Sequence, residues 1–204
     1  MNELRYPLLT LSRLRLMTDG EGITTLVAGA GCPLNCKYCI NRELLSKAKP
    51  RFVTPGELYE LVRQDDLYFR ATGGGITFGG GESLLHARFI AAFRELIGEK
   101  WRICVETSLQ ISPEQLQLAL SAVDEFIVDI KDLNPQIYRS YTGGDLTPAM
   151  ENLKCLLRHR DEKKIKFRIP LIPDYNTPAD CDHSEKLLRS LGAKSIERFD
   201  YVIR

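Results

Sequence analysis

Strand-like and helix-like segments alternate along most of this 204-residue sequence. Short apolar runs are followed by segments whose apolar residues recur every three or four positions, a spacing typical of amphipathic helices. Six strands are predicted in this way, at 23–28, 75–78, 101–106, 125–130, 166–172 and 196–203. Because neighbouring parallel strands need a long crossover connection, usually a helix, this order predicts a parallel sheet covered by helices.

Helix-start signals support the alternation. Thr54-Pro-Gly-Glu57 and Ser112-Pro-Glu-Gln115 each combine a capping residue, a proline in the first turn and a Glu or Gln three residues after the cap. The right-handed crossover rule leaves two arrangements, an open doubly wound sheet or a curved partial barrel. In both, polar residues that follow the strands collect at one rim, where functional groups of such folds lie.

Length and charge exclude several classes of protein. A chain of 204 residues can bury a sizeable core, and we expect one domain over 1–204, without a further cluster-bearing insertion or a C-terminal extension. The formal net charge of +1 gives no sign of a nucleic-acid or membrane-surface partner. Residues 1–17 lack the continuous apolar stretch of a secretory signal. We therefore expect a cytoplasmic protein.

Three of the six cysteines, Cys32, Cys36 and Cys39, lie in one Cys-x3-Cys-x2-Cys segment. Disulfide frameworks belong to small secreted chains, so this clustering favours a metal site. Three thiolates in one loop can each hold one iron of a 4Fe–4S cluster, which leaves the fourth iron open. A zinc site and three buried free thiols are the alternatives. Zinc usually takes paired ligands, and Cys181 with His183 is the candidate for a second pair.

Further motifs follow in order, and together they resemble the radical S-adenosylmethionine superfamily. Within it, they are similar to the pyruvate formate-lyase-activating enzyme family, the activases of glycyl-radical enzymes. The likeness runs from about Thr18 to the C-terminus. The segments that carry it are Asp-Gly-Glu-Gly-Ile at 19–23, the cysteine segment at 32–39, Gly-Gly-Ile-Thr-Phe-Gly-Gly-Gly-Glu at 74–82, Val-Glu-Thr-Ser at 105–108, Asp-Ile-Lys at 129–131, Tyr-Thr-Gly at 141–143 and Arg-Ile-Pro-Leu-Ile-Pro-Asp-Tyr-Asn at 168–176.

The resemblance implies an α/β fold, a partial (β/α)6 barrel with a curved parallel sheet. It implies a radical SAM oxidoreductase with one 4Fe–4S cluster on Cys32, Cys36 and Cys39, and S-adenosylmethionine as the second cofactor. Reductive cleavage of S-adenosylmethionine would give a 5′-deoxyadenosyl radical, which installs a glycyl radical on a partner enzyme. The implied partners are that glycyl-radical enzyme and a flavodoxin or ferredoxin reductant.

The resemblance also implies cofactor-binding positions besides the cysteines. In this reading the Gly-Gly-Gly-Glu segment meets the methionine amino group, Lys131 the carboxylate, and Asp129 a ribose hydroxyl or a nearby cation. Glu106 and Thr107 would hold a monovalent cation. An unpaired charge inside an apolar strand is costly, so we expect a carboxylate partner for Arg168. The full set is Tyr38, Gly79, Gly80, Gly81, Glu82, Thr107, Asp129, Lys131 and Arg168.

Several departures from the family pattern leave the substrate open. Glu21 and Thr24 replace the family's Pro and Arg in the entry motif, and Gly79 and Ser83 flank the Gly-Gly-Glu in place of Ser and Pro. A Tyr-His near the adenine is absent, and the segment ending at Tyr201 is the candidate for its place. The alternatives are a minimal radical SAM enzyme acting on a peptide or small molecule, and a non-catalytic cluster-binding module. The Gly-Ile-Thr-Phe and Tyr-Thr-Gly segments argue against an anaerobic ribonucleotide reductase activase.

Overall fold

Eight strands form one open sheet in the computed structural model, which describes residues 4–16 and 18–202. The strands are β1 Tyr6–Leu16, β2 Ile23–Gly29, β3 Arg51–Val53, β4 Gly75–Gly80, β5 Arg102–Thr107, β6 Glu125–Asp129, β7 Lys164–Leu171 and β8 Ser195–Asp200. Their order in the sheet is β3-β1-β2-β4-β5-β6-β7-β8. From β2 onward neighbouring strands are parallel, whereas β1 pairs antiparallel with both β2 and β3.

The helices mostly lie in the crossovers between parallel strands. They are α1 Arg42–Lys47, α2 Pro55–Val62, α3 Asp66–Thr72, α4 Ala87–Ile97, α5 Pro113–Ala122, α6 Pro135–Thr142, α7 Leu146–Leu157 and α8 Pro178–Ser190. The capping boxes expected at Thr54 and Ser112 are both formed. Each such cap stabilises its helix by about 1 kcal/mol. No helix of the described ranges is long and apolar enough to cross a bilayer.

The six predicted parallel strands correspond to β2 and β4–β8, which confirms the α/β fold with an unclosed sheet. The predicted end of the last strand, at Ile203, lies outside the described residues. Strands β1 and β3 were not expected. Leu14 has a φ of 54°, and the pairing of β1 with β2 shifts between Ser12 and Arg15, so an irregularity interrupts the alternation that marks a strand.

Alternation along the strands separates two faces of the sheet. Phe78, Val105, Phe126 and Phe167 are fully buried in the hydrophobic core formed with the helices. Complete burial of one such side chain stabilises the fold by about 1.5–3 kcal/mol. Their immediate neighbours along each strand point to the other face of the sheet, because successive side chains of a strand lie on opposite sides. That second face carries charged groups at the carboxyl ends of β5, β6 and β7, where the candidate site lies.

Candidate functional site

The cysteine segment forms the loop that leaves β2. All six cysteines are free; Cys32 is exposed, and Cys36 and Cys39 are partly exposed. Burial raises the pKa of the Cys36 thiol, the positive charge of Lys131 opposes that rise, and the charges of the other two loop thiols add to it. The three thiols and Lys131 are therefore close enough to act on one another electrostatically. Over residues 4–16 and 18–202, no three His, Cys, Asp or Glu side chains are arranged to hold a metal ion.

Side chains that the motifs did not single out hold this loop. The Arg42 guanidinium donates to the Cys36 carbonyl at 2.6 Å and to the Lys37 carbonyl at 3.2 Å. The Asn41 amide donates to the Gly80 carbonyl at 2.7 Å. The Nε2 atom of His86 lies 2.9 Å from the Ala30 carbonyl oxygen.

The end of α6 supports the loop from a second direction. The backbone amides of Asn35 and Lys37 donate to the Thr142 and Tyr141 carbonyls at 2.9 and 3.0 Å. These carbonyls are available because α6 stops here, at Gly143, whose φ of 75° is a left-handed conformation that favours glycine. The Tyr-Thr-Gly motif is thus a helix end that presents carbonyl groups to the cysteine loop.

Tyr38 lies in a group of aromatic rings beside the loop. Its hydroxyl donates to Asp174 at 2.9 Å, and its ring centroid lies 5.6 Å from that of Tyr175 and 6.3 Å from that of Tyr141. The Tyr201 hydroxyl donates to the Tyr38 carbonyl. The segment after β8 therefore reaches the cysteine loop.

The three glycines at the end of β4, Gly79 to Gly81, permit close contact with other parts of the chain. A Cβ atom on Gly81 would stand 2.0 Å from the Gly31 carbonyl oxygen, and one on Gly79 would stand 2.8 Å from Glu106 Oε2. Gly80 has a φ of 94°, which an L side chain rarely adopts. These glycines therefore bring β4 against the cysteine loop and leave room for Glu106.

Glu82 is bound by the protein itself. Its carboxylate accepts hydrogen bonds from the Thr107 hydroxyl at 2.7 Å, the Ser108 hydroxyl at 2.6 Å, the Ser108 amide at 2.8 Å and the Leu84 amide at 3.2 Å. The residue is 2 % exposed, and burial raises its carboxyl pKa while the bonds from Ser108 and Thr107 oppose the rise. Four donors use the acceptor sites of a carboxylate, so Glu82 joins β4 to β5.

Glu106, Arg168, Asp129 and Lys131 form a row of alternating charges across the strand ends. Arg168 donates to Asp129 at 2.7 Å and to Glu106 at 2.9 Å, which confirms the carboxylate partner expected for it. Lys131 Nζ lies 3.5 Å from the second Asp129 oxygen. These four side chains retain between 20 and 25 % exposure, so a bound molecule can reach them.

The charges in this row shift one another's pKa values. Burial alone would raise the pKa of Asp129, but the positive charges of Lys131 and Arg168 hold it below its ordinary value. Burial would lower the pKa of Lys131, and the Asp129 carboxylate keeps it raised. Burial raises the pKa of Glu106 against the opposing charge of Arg168. We therefore treat Asp129 as the more firmly ionised partner of Arg168.

The side chains of Glu106 and Thr107 contact different groups. Glu106 contacts Arg168, whereas the Thr107 hydroxyl donates to Glu82 and accepts from the Leu109 amide at 2.9 Å. Neighbouring strand residues point to opposite faces of a sheet, which explains the division. A monovalent cation held by both side chains remains a prediction that this arrangement does not favour.

The entry motif lies at the opposite end of the strands from the cysteine loop. The Glu21 amide donates to Glu125 at 3.2 Å, and the Glu21 carboxylate pairs with Arg102 at 2.9 Å and with Lys164. These partners begin β6, β5 and β7. Thr24 is 2 % exposed, and its hydroxyl has no hydrogen-bond partner.

The thiol set fits an iron–sulfur cluster better than a four-ligand zinc site. Cys181, the candidate for a second zinc pair, is 4 % exposed, and its thiol contacts the Pro170 carbonyl oxygen at 3.5 Å. It is thus committed to packing under β7. The three loop thiols lack a fourth thiol in their segment, which suits a cluster with one open iron.

Comparisons with known proteins find similar activating enzymes. The chain is 36 % identical over 121 residues to the (2S)-3-sulfopropanediol dehydratase activating enzyme of Klebsiella oxytoca, covering 59 % of this chain and 38 % of that protein. It is 32 % identical over 149 residues to the isethionate sulfite-lyase activating enzyme of Desulfovibrio desulfuricans, covering 72 % of this chain and 47 % of that protein. The chain thus spans less than half the length of these two curated relatives.

The fold has solved counterparts. Streptococcus suis SuiB, in a crystal structure bound to S-adenosylmethionine, superposes with a TM-score of 0.64 at 13 % identity, over 84 % of this chain and 38 % of that one. At this identity the likeness concerns the fold alone. The family model described as the Radical SAM superfamily matches residues 26–180, which include the cysteine loop and the row of charges. The chain therefore belongs to the radical SAM superfamily.

Proposed function

We propose that this chain holds one 4Fe–4S cluster on Cys32, Cys36 and Cys39, binds S-adenosylmethionine beside it, and installs a glycyl radical on a partner enzyme. The observation that carries the proposal is the meeting of the cysteine loop with the charged strand ends. The Asn41 amide beside the loop donates to the Gly80 carbonyl at 2.7 Å, and Lys131 at the strand ends lies 3.5 Å from Asp129. The positive charge of Lys131 also opposes the rise that burial causes in the pKa of the Cys36 thiol. A ligand bridging these groups would contact the open iron and a fixed cation together.

When bound, the cluster supplies the electron that cleaves S-adenosylmethionine to a 5′-deoxyadenosyl radical. In the proposal Lys131 binds the methionine carboxylate. Asp129, which accepts a hydrogen bond from Arg168, keeps the Lys131 ammonium in place. Because Glu82 already accepts four hydrogen bonds, we assign it to positioning the Gly-Gly-Gly segment, whose backbone receives the methionine amino group. Tyr38 shields the loop on the side of Asp174.

The partner assignment is supported by the relatives, which are named as activating enzymes of a dehydratase and a sulfite-lyase. We infer a glycyl-radical enzyme as the protein substrate and a flavodoxin or ferredoxin as reductant. A reduced cluster with an open iron is consumed by oxygen, so the activity belongs to an anaerobic setting, which we place in the cytoplasm.

A second candidate is a radical SAM enzyme that acts on a peptide or a small molecule. The entry motif favours it, because Glu21 is engaged with Arg102 and Lys164, and Thr24 is buried. Neither residue offers the Pro and Arg side chains of the activase pattern. Both candidates share the cofactor chemistry and differ in what receives the radical.

The test is anaerobic reconstitution with iron and sulfide, reduction with dithionite, and addition of S-adenosylmethionine. We expect 5′-deoxyadenosine, with Lys131→Gln reducing its formation by at least tenfold and Lys166→Gln, lower on β7, leaving it within twofold. No 5′-deoxyadenosine from the reduced, cluster-loaded chain would refute the radical function, and equal yields from the two variants would refute the role of Lys131.

The partner is tested separately. A glycyl radical doublet in the electron paramagnetic resonance spectrum of a co-incubated glycyl-radical enzyme would support the activase role. Active cleavage of S-adenosylmethionine, with no doublet from any glycyl-radical enzyme of the same genome, would favour the second candidate.

A further inference from the structure

Residues 37–51, which begin inside the cysteine segment and continue beyond it, concentrate positive charge. This segment carries a single acidic residue, Glu43, on a chain whose formal net charge is +1. Its basic side chains are all exposed, and they are Lys37, Arg42, Lys47, Lys49 and Arg51. We call this segment the basic surface.

The basic surface is poorly integrated in the core. Helix α1, at its centre, has no buried residue. Ile40, directly after Cys39, is 70 % exposed. A helix of a globular protein normally buries one apolar face, so a helix without a buried residue presents much of its surface to solvent or to another molecule. The surface thus combines exposed cations with an exposed apolar side chain next to a cysteine.

The charge of Arg42 is held against the cysteine loop. Its guanidinium donates to the Cys36 and Lys37 carbonyls, and its neighbour Asn41 donates to Gly80. Lys37 itself stands between Cys36 and Cys39. The basic surface therefore adjoins the cysteine loop and is hydrogen-bonded to it. A molecule bound to the basic surface would lie beside whatever the thiols hold.

We propose that the basic surface docks an acidic one-electron carrier protein, which reduces the cluster from this side. The inference rests on the proposed function, since it requires a cluster that must be reduced. Charge complementarity selects an acidic partner, because the row formed by Glu106, Arg168, Asp129 and Lys131 is balanced in sign whereas the basic surface is not. Encounters for electron transfer bury little area and depend on such steering.

The position selects an electron carrier among acidic proteins. An electron must enter close to the cluster, and the basic surface begins between two of its proposed ligands. The exposed Ile40 side chain supplies an apolar contact for the partner, as suits a small, short-lived interface. A substrate that receives a radical must instead approach the rim with Asp129 and Lys131.

The experiment compares two charge reversals of equal size. One variant is Lys47→Glu with Lys49→Glu, in the basic surface. The control is Lys154→Glu with Lys186→Glu, at exposed positions of α7 and α8. The probe is a reduced bacterial flavodoxin, which is acidic, and its binding is titrated with the chain before cluster reconstitution. The rate at which it bleaches the reconstituted cluster is then followed by stopped flow at low and at moderate salt.

At low salt, we expect the basic-surface variant to bind flavodoxin at least tenfold more weakly and to be reduced by it at least tenfold more slowly. The control pair should stay within twofold of the original chain in both measurements. Photoreduction by uncharged deazariboflavin should be within twofold for all three proteins. The same loss in both variants, or in neither, would overturn the docking surface. So would a matching loss with deazariboflavin, since that indicates a damaged loop. A missing 5′-deoxyadenosine signal after photoreduction overturns the proposed function instead, and the binding titration still decides the docking surface.

Discussion

A Cβ atom on Gly81 would stand 2.0 Å from the carbonyl oxygen of Gly31, so the end of β4 and the start of the cysteine loop touch through their backbones. Two hydrogen bonds cross the same contact: the Gly81 amide donates to Gly29 at 3.1 Å, and the Glu82 amide donates to Gly31 at 2.9 Å. The two motifs are therefore one structural unit, although Cys39 and Gly81 lie 42 positions apart in the chain.

Gly81→Ala should push the end of β4 away from the start of the cysteine loop. The new methyl group meets backbone, which cannot move aside as a side chain end can, so we expect a loss of about 1–3 kcal/mol in the free energy of unfolding. Iron retained after reconstitution should fall with it. The control is Gly56→Ala in α2, where the nearest atom would be 4.0 Å away and a helix former should be neutral or stabilising. Urea unfolding and iron analysis measure both; unchanged iron in Gly81→Ala would contradict the contact.

Glu82→Gln should weaken the joint between β4 and β5. The new amide group would direct two hydrogens toward Thr107 and Ser108, which are donors, so we expect the chain to lose about 1.5–3 kcal/mol of stability. Glu95→Gln, at an exposed position of α4, is the matched control and should change stability by less than about 0.5 kcal/mol. Urea midpoints decide the comparison, and equal midpoints would show that the carboxylate is dispensable.

Arg42→Gln should loosen the cysteine loop without unfolding the chain. Removing the guanidinium leaves the Cys36 and Lys37 carbonyls without this donor, and losing an outer partner of a metal site costs roughly tenfold in metal retention. We expect iron release to a chelator to be about tenfold faster, with partial rescue by Arg42→Lys, which keeps the charge but loses the fork. Arg63→Gln, an exposed arginine paired with Glu60, should release iron at the original rate. Identical release from all variants would contradict the assigned role.

Gly143→Ala tests the left-handed end of α6. No atom lies within 4 Å of the position of a Cβ atom there, so the whole effect comes from the φ of 75°. An L residue in this conformation costs about 1–2 kcal/mol, and asparagine tolerates it better. Urea unfolding should therefore rank glycine above asparagine and asparagine above alanine; any other order would mean that the helix end rearranges.

His86 should make stability depend on pH. Burial lowers the pKa of His86 in the folded chain, so the unfolded chain binds the proton more readily. Stability is then fully present above the ordinary histidine pKa of about 6.5 and falls as the pH decreases through that value toward the lower folded pKa. The urea midpoint should drop between pH 7.5 and pH 5.5, and His86→Gln should reduce that drop. His183→Gln, at an exposed position, should leave it unchanged, and equal pH profiles in all three proteins would exclude His86 as the cause.

Periodicity predicted the parallel part of the fold because β2 and β4–β8 are short apolar or alternating segments bounded by turn residues. It did not predict β1, where Arg13 and Arg15 replace apolar residues on one side and Leu14 breaks the alternation. Arg13 pairs with the buried Asp65 on the helix side, so its charge is satisfied by a residue 52 positions away. Such a pair cannot be read from a local window.

The site residues divide in the same way. Motif order led to the cysteines, the glycines and the pair of Asp129 and Lys131, and their meeting at one rim follows from parallel strand topology. The supporting contacts did not follow from it. Asn41 and Arg42 act on carbonyl groups, which every residue has, so the sequence carries no mark of their partners. Glu82 was expected to face a ligand, and only the geometry reveals that the protein itself supplies its four donors.

The bond from Tyr201 to the Tyr38 carbonyl joins residues 163 positions apart. During synthesis from the amino terminus, the cysteine loop emerges early, but its supports from Tyr141, Asp174 and Tyr201 emerge much later. The contacts that support the loop therefore cannot all form until nearly all of the described residues have been synthesised, and the thiols stay accessible until then. Iron and sulfide delivered before that moment would meet a loop without these supports, so the order of synthesis favours cluster insertion after the segment around Tyr201 has been made and has folded against the loop.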